Sequence, residues 1–209
     1  MRRVLTTFGF GPHAALLDIA LPTFGRYAAA HGYDLFVPSE SWMSMAAGRA
    51  PSWLKIPLLR RLFEVGYEEV LWLDSDVVVK RFDKDIAAGC GGAPLHMVVH
   101  ETGDGRVPNC GVWYVRRDAD AILASAWYHN HARREPGWWE QSAIIAALGG
   151  DPDAEKVLVP TGPLWGELPY EWNPHVHDSR GVSTDCRFFH ATMIHDRAVA
   201  MRKMRAEAT

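Results

Sequence analysis

A continuous apolar run bounded by charge, Glu68-Glu69-Val70-Leu71-Trp72-Leu73, ends in Asp74-Ser75-Asp76 and resumes at once as Val77-Val78-Val79. A run with no polar alternation reads as a strand buried on both faces. It constrains the chain to a layered α/β fold, because helices on both sides of a sheet are what bury such a strand. It also sets two carboxylates beyond the carboxyl end of a strand, where open α/β sheets bind their ligands. Hard divalent cations take oxygen ligands, so Asp74 and Asp76 form a candidate cradle for one. The spacing alone carries little weight, since it recurs at Asp83/Asp85, Asp118/Asp120 and Asp151/Asp153. Those pairs lie in polar, turn-like or helix-starting stretches. Asp118 reads as the N-cap of the helix after it, and Asp151-Pro152-Asp153 as a loop.

Around that strand the chain alternates strand and helix. Val4 to Phe8 reads as a first strand, followed by a helix with Leu17, Leu21, Phe24 and Ala28 on one stripe, which Pro22 should kink and Gly32 should close. Tyr33 to Val37 is a second strand, 38–51 a loop, and Ser52 the expected cap of a helix that ends at Gly66. Leu95 to His100 and Gly111 to Val115 read as strands separated by a loop over 101–109. The Asp118 helix is expected to run to about His131, a short helix covers Glu140 to Leu148, and Val157 to Val159 is a short strand. An irregular aromatic stretch, 160–187, precedes a last strand piece, Arg187 to His190, and a terminal helix. This order predicts a single three-layer α/β domain over 1–209 with no linker.

With a net charge of -3 the chain lacks the general basic footprint of a nucleic-acid binder. A local cluster, Arg197, Arg202, Lys203 and Arg205, suits a diphosphate, peripheral contact with a membrane surface, or the solvated face of a terminal helix; the last is the ordinary reading. Three cysteines, none at a C-x-x-C spacing, argue against a disulfide framework. No stretch has the length of a membrane span or signal segment, and the expected location is cytoplasmic.

Six segments in order resemble glycosyltransferase family 34, which holds xylosyl-, galactosyl- and mannosyltransferases. They are Tyr27 to Leu35, Trp53-Leu54-Lys55-Ile56-Pro57, Leu71 to Asp76, Asn109-Cys110-Gly111-Val112, Trp138 to Ala143, and Phe189-His190-Ala191-Thr192. Glu140 stands where that family usually has Asp. The bacterial pattern of a later Gly and Lys after the histidine is replaced by His195, Asp196 and Arg197. The resemblance implies a GT-A, Rossmann-like three-layer fold with a mixed central sheet. It also implies a nucleotide-diphosphate sugar donor, a carbohydrate or other hydroxyl acceptor, Mn²⁺ or Mg²⁺, and retention of anomeric configuration.

In such chemistry a diphosphate departs, and a cation stabilises its charge without proton transfer. Asp76 and His190 are the expected metal ligands, with imidazole favouring Mn²⁺ over Ca²⁺. Asp74 is expected to bind the metal or hold a ribose, with Ser75 beside it. Lys55, at a helix start, is a candidate for the nucleotide phosphate, and Thr6 and Thr7 for the base or ribose. Asn109 and Gly111 are expected against the donor sugar, through a side-chain amide and a close backbone approach. Gln141 is expected to stabilise positive charge on the sugar, Glu140 to act as nucleophile or as a mere capping charge. Trp165, Trp172 and Asn173 are candidate acceptor contacts, whereas His175 and His177 read as loop surface. Two alternatives stand beside this reading: a haloacid-dehalogenase-like phosphohydrolase using Asp74 and Asp76, and a non-catalytic sugar-binding protein.

Overall fold

A computed structural model describes residues 1–129, 138–159, 162–183 and 185–209. Its strands are β1 (Arg3–Thr6), β2 (Asp34–Phe36), β3 (Glu69–Leu73), β4 (Val77–Val79), β5 (Leu95–Thr102), β6 (Gly105–Arg116), β7 (Trp165–Glu167) and β8 (Phe188–His190). The helices are α1 (Ala14–His31), α2 (Lys55–Glu64), α3 (Asp120–His129), α4 (Trp139–Ala147) and α5 (Arg197–Ala206). Six strands form one mixed sheet in the order β2-β1-β3-β6-β5-β7, and β4 pairs with β8 in a separate ribbon. β1 runs parallel to β2 and β3, while β6 is antiparallel to both β3 and β5.

Every residue of β3 is buried, and its side chains alternate between two cores. Val70 and Trp72 face a core built with α2, α3 and α4, including Leu58, Leu62, Leu123 and Ile144. Leu71 and Leu73 face the other, built with α1, β4, β8 and α5, including Phe24, Val78, Phe188 and Met201. The doubly buried strand therefore sits at the centre of a three-layer fold, as its unbroken apolar run requires.

Several local expectations change. Pro22 lies inside an unbroken α1. Ser52 sits within a 3-10 turn, Pro51–Leu54, and α2 begins only at Lys55. Asp118 is no cap: a 3-10 turn over Arg117–Ala119 leads into α3, and the part of the expected helix beyond His129 lies outside the described residues. Residues 101–109 are not a loop but the two arms of a tight hairpin, with Thr102 paired to Gly105. Gly105 has a φ of +106° there, a conformation that favours glycine. The predicted strand at Val157 reduces to a single bridge to Gly105. Pro160 and Thr161, which open the stretch read as irregular, also lie outside the described residues.

Candidate active site

The site forms where β3 ends. Asp74 leaves the sheet with its N–H donating to the carbonyl of Gly111 on β6 at 2.9 Å, and Val77 N–H closes a turn back onto the Asp74 carbonyl at 3.0 Å. That turn reverses the chain into β4. Pairing of β4 with β8 sets Val77 opposite His190, which carries the histidine to the side of Asp76 across 114 residues of sequence. On the other flank the β5–β6 register shifts between Met97 and Val98, so that Cys110, Gly111 and Val112 bulge out of the ladder. A bulge re-aims side chains at the edge of a sheet; this one turns Asn109 to Gly111 into the same cleft. The cleft has a volume of about 450 Å³. Phe8, Phe10 and Pro12 line it together with Asp74, Asp76, His190 and Arg197.

Asp74, Asp76 and His190 each offer a ligand atom within 4.8 Å of the others. The two acids are held differently. Asp74 Oδ1 accepts from Trp72 Nε1 at 2.7 Å and from Lys55 Nζ at 2.9 Å. Asp76 Oδ1 lies 3.2 Å from His190 Nε2, and its Oδ2 accepts from Arg197 Nη1 at 3.0 Å. Burial alone would raise the Asp76 carboxyl. His190, and then Arg197, outweigh that and hold it well below the usual carboxylate range. Two carboxylates and an imidazole nitrogen, converging on one buried corner of a cleft, fit the ligand set of Mn²⁺ or Mg²⁺.

Lys55 is not an exposed phosphate ligand. It is buried, and besides Asp74 it bonds Glu140 Oε1 at 2.6 Å and the Cys110 carbonyl at 3.2 Å. These three partners match its three donors. Burial would lower its pKa, but Asp74 and Glu140 outweigh that and raise it, so it stays charged. Glu140 is equally buried, and burial pushes its carboxyl up against the pull of Lys55. The structure thus pairs Glu140 with Lys55 rather than leaving it as an open carboxylate. Gln141 begins the same helix, and its Oε1 accepts from the Cys110 backbone N–H at 3.0 Å.

Gly111 has a different reason for being glycine from the one expected. A Cβ there would lie 2.8 Å from His190 Nδ1, and closer still to Cε1. The missing side chain makes room for the histidine. Thr6 and Thr7 are fully buried, with Thr6 Oγ1 donating to the Phe36 carbonyl; neither lines the cleft, where Phe8 and Phe10 stand instead. Ser75 does line it, its hydroxyl 3.4 Å from His13 Nδ1.

Trp165 and Trp172 are corrected most plainly. Trp165 is buried on the edge strand β7, and Trp172 has no exposed surface and packs edge-on to Phe188. Neither has a face to offer an acceptor; Trp138 and Trp139 line the cleft in their place. Asn173 is also fully buried, behind His190. His175 is buried too, while His177 is exposed. Two contacts had no sequence signal at all, Arg197 to Asp76 and Asn173 to His190. Each joins residues whose proximity depends on the β4–β8 pairing.

No family model matches the chain, and no curated protein matches it. Solved structures do. A glycosyltransferase involved in the glycosylation of the major capsid of PBCV-1 is 20% identical with a TM-score of 0.68, over 99% of this chain and 100% of that one. The glycosyltransferase GlyE of Streptococcus pneumoniae TIGR4 is 13% identical with a TM-score of 0.60, over 98% of this chain and 61% of that one. Mouse xyloside xylosyltransferase 1 is 11% identical with a TM-score of 0.54, over 92% of this chain and 98% of that one. At these identities the likeness is one of fold, and it does not single out family 34. No helix among the described residues is long and apolar enough to cross a membrane. The chain has the GT-A-like α/β fold of glycosyltransferases, with a mixed six-stranded central sheet.

Proposed function

We propose that the protein is a metal-dependent glycosyltransferase that moves a sugar from a nucleotide-diphosphate donor to an acceptor hydroxyl, with retention of configuration. The observation that carries this reading is the convergence of Asp74, Asp76 and His190 in one corner of the cleft at the end of β3. A fold shared with glycosyltransferases supports it. Asp76, His190 and the open oxygen of Asp74 hold Mn²⁺ or Mg²⁺, which when bound offsets the charge of the diphosphate leaving group. Arg197, beside Asp76 and on the cleft wall, adds a fixed positive charge near that same group. Phe10 stacks on Phe8 with ring centroids 5.0 Å apart on the cleft wall, a surface suited to a nucleobase.

The acids on the cleft wall are Asp74, Asp76 and Glu140 among the described residues. With Glu140 sealed against Lys55, a covalent glycosyl intermediate on that carboxylate is disfavoured. We assign Glu140 to holding Lys55, and through it Asp74. Gln141 lines the cleft with its Oε1 committed to Cys110, so its Nε2 is the polar group left to face a donor hydroxyl. Asp74, the nucleophile of the phosphohydrolase alternative, has one oxygen tied to Trp72 and Lys55, which disfavours that alternative.

The test is a thermal-shift screen of UDP-, GDP- and dTDP-sugars with and without Mn²⁺, since a ligand of the native state raises the midpoint by mass action. A metal-dependent rise, lost in Asp76→Ala, is expected. Release of phosphate from many phosphomonoesters with no response to any nucleotide sugar would overturn the reading.

A further inference from the structure

A backbone N–H can only donate, so it fixes the orientation of any side-chain amide it meets. Gly111 N–H donates to Asn109 Oδ1 at 2.9 Å. The same oxygen lies 2.8 Å from the Asn173 amide and must receive an N–H from it, so the group facing Asn109 is Asn173 Nδ2. Asn173 then turns its Oδ1 to His190, whose Nδ1 is 2.9 Å away. An amide oxygen only accepts, which puts a proton on Nδ1. Nε2 is the atom that faces Asp76 Oδ1 at 3.2 Å: a proton there is donated to the carboxylate, and once a shared cation displaces that proton the Nε2 lone pair points at the cation.

Asn173 is itself pinned. It is fully buried, its N–H donates to the Tyr170 carbonyl at 3.1 Å, and its own carbonyl lies 2.7 Å from His100 Nε2. The relay continues away from the histidine. Asn109 Nδ2 lies 3.4 Å from Gln141 Oε1, whose sense is fixed by the N–H of Cys110. Two successive backbone N–H groups in the β6 bulge therefore set the polarity of every amide between Gln141 and His190.

We infer that Asn173 is a positioning residue: it locks His190 in the Nδ1–H tautomer so that Nε2 is presented to a cation shared with Asp76. The inference rests on the metal reading proposed above. Partners of this kind orient a metal-bound imidazole, and their loss costs about 10- to 100-fold in metal affinity. A merely structural Asn173 would satisfy its neighbours without any such effect.

Long-range ¹H–¹⁵N spectra of the metal-free protein at alkaline pH read the tautomer directly, with the His190 signals assigned by their loss in His190→Ala. A proton at Nδ1 is expected, whether or not Nε2 also carries one; a wild-type ring protonated at Nε2 alone overturns the inference with no variant needed. Titration with MnCl₂ alone, followed by the EPR signal of free Mn²⁺, reads the consequence. Asn173→Ala should bind about 10- to 100-fold more weakly, and Asn173→Asp, which restores an acceptor for Nδ1–H, should recover most of that loss. If Asn173→Ala does not fold, Asn109→Ala replaces it, since it removes the acceptor that turns the Asn173 amide; it should weaken Mn²⁺ and mix the tautomers. Wild-type Mn²⁺ affinity in these variants overturns the inference. Absence of Mn²⁺ binding by the wild type instead overturns the metal reading, which the tautomer measurement does not touch.

Discussion

Asp74 and Asp76 stand on one turn, and the fold holds them from opposite sides. Asp74 is tied to α2 and α4 through a buried lysine that also serves Glu140. Asp76 is tied to the C-terminal part of the chain, through His190 on β8 and Arg197 at the start of α5. The first arrangement carries a charge that does not titrate in the working range. The second is built from an imidazole, two amides and a part-exposed guanidinium. Identical side chains at minimal separation thus acquire unequal roles from their partners: Asp74 is an anchored acid with one oxygen to spare, whereas Asp76 is the centre of the candidate metal corner.

The comparison can be broken most forcefully at Asp76. Asp76→Asn should lower Mn²⁺-dependent hydrolysis of a nucleotide sugar by about a thousandfold, equivalent to several kcal/mol of lost charge stabilisation. Asp74→Asn should cost less, because Lys55 would still have Glu140. Equal losses in steady-state assays would erase the distinction.

On the other side the leverage is stability. Lys55→Met leaves Glu140 and Asp74 without their cation, and removing one partner of a buried pair typically costs about 3–5 kcal/mol. A urea midpoint should fall accordingly. Adding Glu140→Gln to the same chain should return part of the loss, since the uncompensated buried charge is then gone. A double variant no better than the single would sink the assignment of Glu140 as the partner of Lys55.

Acid should strike the two sides unequally. Burial, helped by His175 and His190 nearby, pushes His100 down to about 3 from its ordinary 6.5. A folded-state pKa below the unfolded value means that stability is complete above pH 6.5 and is lost as pH falls towards 3. On the order of 5 kcal/mol is at stake, because His100 is buried and supports Asn173. Asp178, facing the same region and held down at about 2, reinforces the trend only at the acid end. Chemical denaturation across this window should show the decline, and His100→Gln should flatten it. Lys55 stays cationic throughout and should contribute no slope.

The smallest of these effects is expected at Gly111. Gly111→Ala puts a methyl group against His190, an overpacking cost of about 1–3 kcal/mol. It should appear as weaker Mn²⁺ binding, measured by EPR, more than as a lower thermal midpoint. Unchanged affinity would mean that the ring has room to yield.

Much of this was readable from local pattern. The run Val70 to Leu73 implied a strand with helices on both faces, because burial on both sides leaves no place for polar alternation. Its carboxyl end located the cleft by the same logic. Misreadings fell where tertiary pairing overrides local chemistry. The polar, glycine-bearing stretch 101–109 looks like a loop, but a hairpin partner supplies its backbone hydrogen bonds. Trp165 and Trp172 look like sugar platforms, but an indole is equally at home in a core, and only packing chooses. Asp118 looks like a cap, but the chain enters α3 through a 3-10 turn.

By itself the sequence determined the layered class of the fold, the central strand and the position of its two acids. These follow from side-chain period and burial, which are properties of neighbouring residues. That His190 meets Asp76 was expected from the family resemblance; only the tertiary structure decided that Lys55 serves Glu140 and Asp74, that Gly111 is a space for an imidazole, and that Asn173 stands behind it. Each of those facts joins residues from different elements. Strand register and a β-bulge bring them together, and hydrogen-bond direction then follows from backbone N–H groups, which no single-residue pattern encodes.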